Sequence, residues 1–261
     1  MIGKVLGKGR TATVFEYNGN AIKIFNKGFY KGSIEREYRY SKIASDHNCN
    51  VPVVHKFLEI DGCYAIETDK IIGKTFSELQ LENTSEGPKF AKLFSEIQAD
   101  YHKVEVEEND LNSFFIDRLD HVKDLSKEQI TQIKNYTMKL PISNHLCHGD
   151  YHPGNIMISN DKPYLIDWMN GYFGNPLSDV CRTYLMMHSP DALASIPDEF
   201  KKDGKEYIRE FLKVYISNYC KITDLKEEDI YDWLLPVAAL RLLENIPFEK
   251  EWLLGIINER L

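Results

Sequence analysis

The stretch HLCHGDYHPGN, from His145 to Asn155, gathers three histidines, a cysteine, an aspartate and an asparagine into eleven residues. Two chemistries suit such a set. His145, Cys147, His148 and His152 supply soft and imidazole ligands, and His148 and His152 have the spacing of two zinc ligands on one helical face. Pro153 and Gly154, however, end any helix there, and a distant fourth ligand would be needed. The alternative works through oxygen. Asp150 and Asn155 are separated by four residues, and Asp167 follows twelve residues after Asn155. Phosphoryl transfer needs one carboxylate to position the attacking hydroxyl, and an amide oxygen with a second carboxylate to hold Mg²⁺ against the phosphates. Taken singly, each of these residues also suits a polar turn or a cap.

Two further features bear on that choice. Leu6-Gly7-Lys8-Gly9-Arg10-Thr11-Ala12 places glycines where a turn can bring backbone N–H groups close to phosphate oxygens, although most such glycine pairs are ordinary hairpin turns. Lys23 sits in the apolar run Ala21-Ile22-Lys23-Ile24. Strand alternation puts it on one face with Ala21 and Phe25, under the glycine turn, where it is either a phosphate ligand or a surface-edge lysine. A buried lysine needs a carboxylate partner, and Glu35 and Glu37 are the nearest in sequence.

These residues require elements to hold them. Strands are predicted over Met1–Lys8, Ala12–Tyr17, Asn20–Phe25, Val53–Ile60 and Tyr64–Thr68, with hairpin turns at Asn18-Gly19 and Asp61-Gly62. A helix over Ser33–Ser45, capped by Ser33 and with Ile34, Tyr38 and Ile43 on its apolar stripe, interrupts them after the third strand. From Thr75 onward the pattern is helical. Phe90, Leu93, Phe94, Ile97 and Tyr101 fall on one face, and helical periodicity recurs from Lys127, from Asp179 and over most of 198–260. The exception is a short hairpin, Ile156–Ile158 and Pro163–Ile166 about Asn160-Asp161, which the histidine-rich stretch enters and Asp167 leaves.

At 43% apolar and 28% charged, the 261 residues read as folded throughout. The apolar run Trp233–Leu242 is too short to span a bilayer and MIGKVLGKGR lacks a signal-peptide core, so a cytoplasmic protein without a membrane partner is expected. Five widely spaced cysteines with no C-x-x-C pair point to reduced, mostly buried thiols. A net charge of −8 argues against a nucleic-acid partner. Residues 1–67 carry ten basic and seven acidic side chains, and residues 168–261 eleven and sixteen. An acidic C-terminal part suits a cationic ligand or a solvated helical surface.

In order, the glycine loop, Lys23, Glu37, His148-Gly149-Asp150-x-His152-x-x-Asn155 and Ile166-Asp167-Trp168 resemble the aminoglycoside phosphotransferase and choline kinase-like family, which shares the protein-kinase fold. The motifs run over roughly residues 3–190, and HGD-x-H-x-x-N is the specific part. The resemblance implies an α+β, two-lobed protein-kinase-like fold. Residues 1–70 would form a nucleotide-binding lobe, a five-stranded antiparallel sheet with one helix, and residues 71–261 a mainly helical lobe with the catalytic loop and substrate site. It further implies that Gly7, Gly9, Thr11, Ala12, Ala21, Lys23 and Glu37 serve the nucleotide, with Lys23 on the α and β phosphates and paired to Glu37. Thr68 would lie near the adenine, and the backbone of Asp69 and Ile71 on its edge. Asp150 would be the catalytic base, Asn155 and Asp167 the Mg²⁺ ligands, and His148 and His152 loop supports. Gly174-Asn-Pro-Leu-Ser-Asp179 resembles the family's G-[DN]-P-x-x-D, in which the aspartate caps a helix and braces a loop.

Asp167 is followed by Trp168-Met169, no A-P-E segment follows, and His152 replaces the lysine of protein serine/threonine kinases. The implied activity is therefore transfer of the γ-phosphoryl of ATP or GTP to a hydroxyl of a small molecule: an aminoglycoside-, choline- or thiamine-like acceptor. The family holds its acceptor in the helical part, where Tyr207, Trp233, Trp252 and the acidic Glu227–Asp232 fit core and surface equally well. The rival classes are a nucleotide-binding regulatory module without turnover, an atypical protein kinase, and a zinc hydrolase using His148 and His152. The regulatory module predicts loss of Lys23, Asp150, Asn155 or Asp167, and all four are present.

Overall fold

The computed structural model describes residues 2–194 and 201–261. Met1 and residues 198–200, which the strand and helix expectations include, lie outside the described residues. The strands are β1 (Ile2–Lys8), β2 (Ala12–Tyr17), β3 (Asn20–Phe25), β4 (Val54–Ile60), β5 (Cys63–Thr68), β6 (Lys74–Thr75), β7 (His145–Cys147), β8 (Ile156–Ser159), β9 (Lys162–Leu165) and β10 (Tyr172–Gly174). The helices are α1 (Lys31–Asp46), α2 (Phe76–Glu82), α3 (Gly87–Tyr101), α4 (Asp117–Leu119), α5 (Lys127–Thr137), α6 (Pro176–His188), α7 (Pro190–Ala194), α8 (Lys201–Thr223), α9 (Glu227–Tyr231), α10 (Leu234–Arg241) and α11 (Lys250–Asn258). The five-stranded antiparallel sheet and the helical remainder agree with the expected fold class.

Packing groups the chain into two units, Met1–Glu82 with Pro153–Gly171, and Asn83–His152 with Tyr172–Leu261. A linear division after residue 70 cannot express this grouping. The reason is that β8 pairs with β6 and β9 to form a second, three-stranded sheet inside the first unit. Gly73 permits that pairing, since a Cβ there would sit 2.0 Å from the Ile158 carbonyl oxygen.

The first unit's main sheet runs β1-β2-β3-β5-β4 with every neighbour antiparallel. Positive φ at Asn18 and Gly19, and again at Asp61 and Gly62, matches the two-residue turns that suit the twist of a hairpin. Ala12, Phe25, Ile34, Val54 and Ile66 form the core beneath the sheet. Helix α1 begins at Lys31, and its N-cap position is Tyr30 with no side-chain cap, so Ser33 lies within the first turn. A tight turn closed by Phe29 N–H to the Asn26 carbonyl, 3.0 Å, starts the helix before a serine cap could act. Its buried face is Ile34, Glu37, Tyr40 and Ala44, rotated from the Ile34, Tyr38 and Ile43 stripe, and the rotation turns Glu37 inward.

In the second unit α3 packs along α8. Phe94 of α3 lies at the centre, with the rings of Tyr151, Phe211 and Tyr215 at 4.3, 5.4 and 5.1 Å. Fully burying such a ring is worth about 1.5–3 kcal/mol. Helix α6 is buried over nine of its thirteen residues, and β7 pairs antiparallel with β10. Trp233 is core, its ring tilted against that of Phe115 at 5.4 Å. Tyr207 packs on Phe211 and is half-buried. All five cysteines are free, and only Cys147 and Cys181 are buried, fewer than expected. Among the described residues no helix is long and apolar enough to cross a membrane.

Candidate active site

Lys23 sits mid-strand in β3, between Val14 of β2 and Ile66 of β5. Its Nζ donates to Glu37 Oε1 at 2.6 Å and to Asp167 Oδ1 at 3.1 Å. Of the two candidate partners, α1 therefore turns Glu37 to the lysine, while Glu35 is exposed and pairs with Lys31. Burial works against the Lys23 ammonium, but the charges of Glu37 and Asp167 outweigh it and hold the amine protonated. Glu37 is 4% exposed, and burial pushes its carboxyl up to about 7 against the pull of Lys23, with Asp167 adding to the rise. Its Oε2 is buried with no hydrogen-bond partner among the described residues.

The hairpin brings the two expected metal ligands into register. Ile156 faces Leu165 across β8 and β9, and immediately outside that pair the Ile166 N–H donates to the Asn155 carbonyl at 2.9 Å. Asp167 comes next, at φ 67, a left-handed conformation that aspartate tolerates better than most residues. It directs one carboxylate oxygen to Lys23 and leaves the side chain 41% exposed. An amide and a carboxylate are hard oxygen donors of the kind Mg²⁺ takes, with phosphate and water completing the shell. Zinc fares worse. Burial raises the Cys147 thiol well above its ordinary range, which disfavours a thiolate in the absence of a metal. Among the described residues no three His, Cys, Asp or Glu side chains are grouped to hold a metal.

Of the other nucleotide candidates, Gly7 lies in β1 opposite Val14, and Gly9 N–H closes the turn on the Ala12 carbonyl at 2.9 Å. Neither has a positive φ, and a Cβ added at Gly7 would meet nothing within 4 Å. The Thr11 carbonyl accepts from Asn26 N–H, 2.9 Å. Ala12 and Ala21 are buried, and Ala21 pairs with Thr68. Asp69 N–H donates to the Val53 carbonyl at 2.9 Å, and Ile71 is half-buried.

Asp150, His148, His152 and Asp179 belong to the second unit, since the grouping changes between His152 and Pro153. Asp179, fully buried on α6, accepts from His148 N–H at 3.1 Å and Gly149 N–H at 2.7 Å. It also receives Gln98 Nε2, Tyr101 OH and His102 Nε2 at 3.3, 2.7 and 3.2 Å. Burial alone would raise its carboxyl, but the hydrogen bond and charge of His102, the charge of His148 and the Tyr101 hydroxyl together hold it below the usual carboxylate range. The helix cap is Asn175, whose Oδ1 accepts from Leu177 N–H at 2.9 Å, so the sequence-based cap belongs four residues before Asp179.

Gly149 takes φ 72, where any other residue would be strained. Asp150 N–H donates back to His148 Nδ1 at 3.2 Å, and His152 Nε2 stands 3.9 Å from Asp150 Oδ2. Tyr151 pins the loop from beneath, its hydroxyl donating to the Phe94 carbonyl at 2.6 Å. Sequence reasoning overlooked Gln98, Tyr101, His102 and Arg182. Arg182 alone left a signal, a charge three residues after Asp179 between the apolar runs of α6.

The profile of the phosphotransferase enzyme family matches residues 4–215. No curated protein sequence is significantly similar to the chain. Among solved structures, the fold is similar to a thermostable mutant of aminoglycoside phosphotransferase APH(4)-Ia in complex with AMP-PNP and hygromycin B. The TM-score is 0.65 at 12% identity, over 98% of this chain and 91% of that one. It is similar to a putative fructosamine-3-kinase from Haemophilus somnus 129PT, with TM-score 0.65, 15% identity, and 100% and 92% of the chains covered. It is also similar to APH(2")-IIa in a ternary complex with streptomycin and ATP, with TM-score 0.56, 18% identity, and 99% and 90% covered.

Proposed function

Because the chain belongs to the phosphotransferase enzyme family, we propose that it moves the γ-phosphoryl group of ATP or GTP to a hydroxyl of a small polyhydroxylated or cationic molecule. The observation that carries this reading is the lysine at the centre of the first unit, held by Glu37 at 2.6 Å and Asp167 at 3.1 Å. A charged amine anchored by one buried carboxylate is a fixed cation for the α and β phosphates. Two of the similar structures hold an aminoglycoside together with ATP or an analogue of it, and a third is a putative fructosamine-3-kinase. All three support a hydroxylated acceptor.

In this reading the acceptor oxygen forms a bond to the γ phosphorus as the bond to the bridging oxygen of the β phosphate breaks, and the nucleoside diphosphate leaves. Asp150 orients the hydroxyl and takes its proton. Asn155 and Asp167 would hold Mg²⁺, which when bound neutralises charge on the phosphate oxygens. Gly7 and Gly9 let the backbone approach the phosphates, Thr11 and Ala12 continue that loop, and Ala21, Thr68, Asp69 and Ile71 flank the base. His148 and His152 support the turn on which Asp150 sits. Most of the rate acceleration would come from position and charge, since the protein forms no covalent intermediate.

The test is Asp150→Ala, assayed by ATP and GTP consumption against a panel of aminoglycosides, choline, thiamine and fructosamines, together with nucleotide binding. Turnover should vanish while nucleotide affinity stays. Retained turnover removes Asp150 from the role of base.

A further inference from the structure

Arg182 lies on α6, one turn after Asp179, and is 7% exposed. Its Nε donates to the carbonyl of Gly149, the residue before Asp150. Its Nη2 pairs with Glu244 Oε1 at 2.6 Å. The other oxygen of Glu244 accepts from Arg241 Nη1 at 3.1 Å, and Arg241 forks onto Glu249 at 2.6 and 2.8 Å. The two arginines and two glutamates are formally neutral together, so the chain of pairs can be buried without a net charge. The Asp150 carboxylate also acts on the Arg182 guanidinium through its charge.

The Gly149 carbonyl and the Asp150 N–H share one peptide plane. Its oxygen is held by Arg182 and its N–H by His148 Nδ1 at 3.2 Å. The preceding N–H, that of Gly149, is held by Asp179 Oδ1 at 2.7 Å. Gly149, at φ 72, is where the loop would otherwise rotate most freely. Asp179 and Arg182, three residues apart on one helix face, therefore grip the glycine from its two ends.

We infer that Arg182 is a positioning residue for phosphoryl transfer: it fixes the rotation of the Gly149–Asp150 peptide and thereby the aim of the Asp150 carboxylate, while Glu244 holds the guanidinium in the orientation that reaches Gly149. The inference rests on Asp150 being the hydroxyl-orienting group. It assigns to the Arg182–Glu244 pair a kinetic role that burial and stability alone would not require.

The experiment compares wild type, Arg182→Gln, Arg182→Lys, Asp150→Asn and the Arg182→Gln/Asp150→Asn double variant of the full chain. Phosphate release from Mg·ATP alone, with water as acceptor, reads turnover; a fluorescent ATP analogue reads nucleotide binding; and the ¹⁵N-glycine resonance of Gly149 reads the loop. Arg182→Gln should shift or broaden the Gly149 resonance and lower kcat on the order of 10²-fold with nucleotide affinity unchanged. Arg182→Lys should recover only part of that rate, because one ammonium cannot serve both the carbonyl and Glu244 in the fork's geometry. In the Asp150→Asn background Arg182→Gln should add nothing to the loss. Should Arg182→Gln fail to fold, Glu244→Gln keeps the arginine but loosens its hold, and should move the same resonance with a smaller rate loss. An unmoved Gly149 resonance, or a lower melting temperature with wild-type kcat per folded molecule, overturns the proposal. Full turnover by Asp150→Asn overturns the reading of Asp150, and the Gly149 resonance then decides on Arg182 by itself.

Discussion

Replacing Lys23 by methionine keeps much of the side chain's length and removes its charge, and the effect on stability is set by Glu37. Burial lifts the Glu37 carboxyl from 4.5 to about 7 even with Lys23 pulling it down. That rise corresponds to about 3 kcal/mol, at about 1.4 kcal/mol per pH unit. A carboxyl raised in the folded state contributes stability that is fully present below its unfolded value and is lost as pH climbs through the folded one. In the wild type that loss ends near pH 7, where Glu37 ionises against Lys23. In Lys23→Met the pull is gone, the folded value lies higher, and the loss continues above pH 7 at the same slope.

Breaking a buried pair commonly costs about 3–5 kcal/mol, but here the surviving carboxyl escapes by taking up a proton. The stability gap between wild type and Lys23→Met should therefore be small at about pH 6 and widen by roughly 1 kcal/mol per pH unit towards pH 8. Urea unfolding of both proteins across that range measures it, and the control is the pair Glu37→Gln and Lys23→Met/Glu37→Gln, whose gap stays flat because neither carries the carboxyl. A gap independent of pH, or one of about 3 kcal/mol already at pH 6, would refute the reasoning. Catalysis should be lost at every pH, because the fixed cation is gone whichever way Glu37 titrates.

Gly7→Ala should leave stability unchanged or raise it by up to about 1 kcal/mol, since the new Cβ meets no atom within 4 Å, while nucleotide affinity falls. Unaltered affinity by calorimetry would remove Gly7 from the phosphate loop. Asp167→Ala should weaken Mg²⁺-dependent nucleotide binding and leave Lys23 paired to Glu37; an unchanged Mg²⁺ dependence would show that the metal is held elsewhere. Asp179→Asn should destabilise by about 3 kcal/mol or more, because an amide cannot accept all five hydrogen bonds. The Asp179 carboxyl lies below its ordinary value of 3.8, so its stabilisation is present above that value and lost as pH falls further. The difference between wild type and Asp179→Asn in acid unfolding should accordingly shrink below about pH 4.

The strands of the main sheet were legible because the two-residue turns Asn18-Gly19 and Asp61-Gly62 and the alternation around them are local signals. The β8–β9 hairpin was legible for the same reason, at Asn160-Asp161. What escaped were contacts made by packing. A stripe drawn from apolar residues alone runs through Ile34, Tyr38 and Ile43 and cannot choose between Glu35 and Glu37 as the partner of Lys23, whereas the buried face holds Glu37 with Ile34 and Tyr40. Ser33 looked like a cap, yet the Asn26–Phe29 turn starts the helix earlier. Gln98, Tyr101 and His102 form a helical cluster whose polar atoms reach Asp179 some eighty positions away, and no local pattern announces such a partner.

The sequence by itself determined the chemistry on offer. HGD-x-H-x-x-N, Lys23 and Asp167 name a carboxylate, an amide, a second carboxylate and a cation, and these types suit phosphoryl transfer through oxygen-bound metal rather than zinc. It also determined the strand order of the hairpins, because turn residues and alternation act over a few positions. Only the tertiary structure decided which charges meet. It turned Glu37 and not Glu35 to Lys23, set Asp179 under His148 and Gly149, and ran Arg182 to the Gly149 carbonyl. Burial then made each of those contacts consequential, since a charge removed from water must find its partner across the fold, wherever along the chain that partner lies.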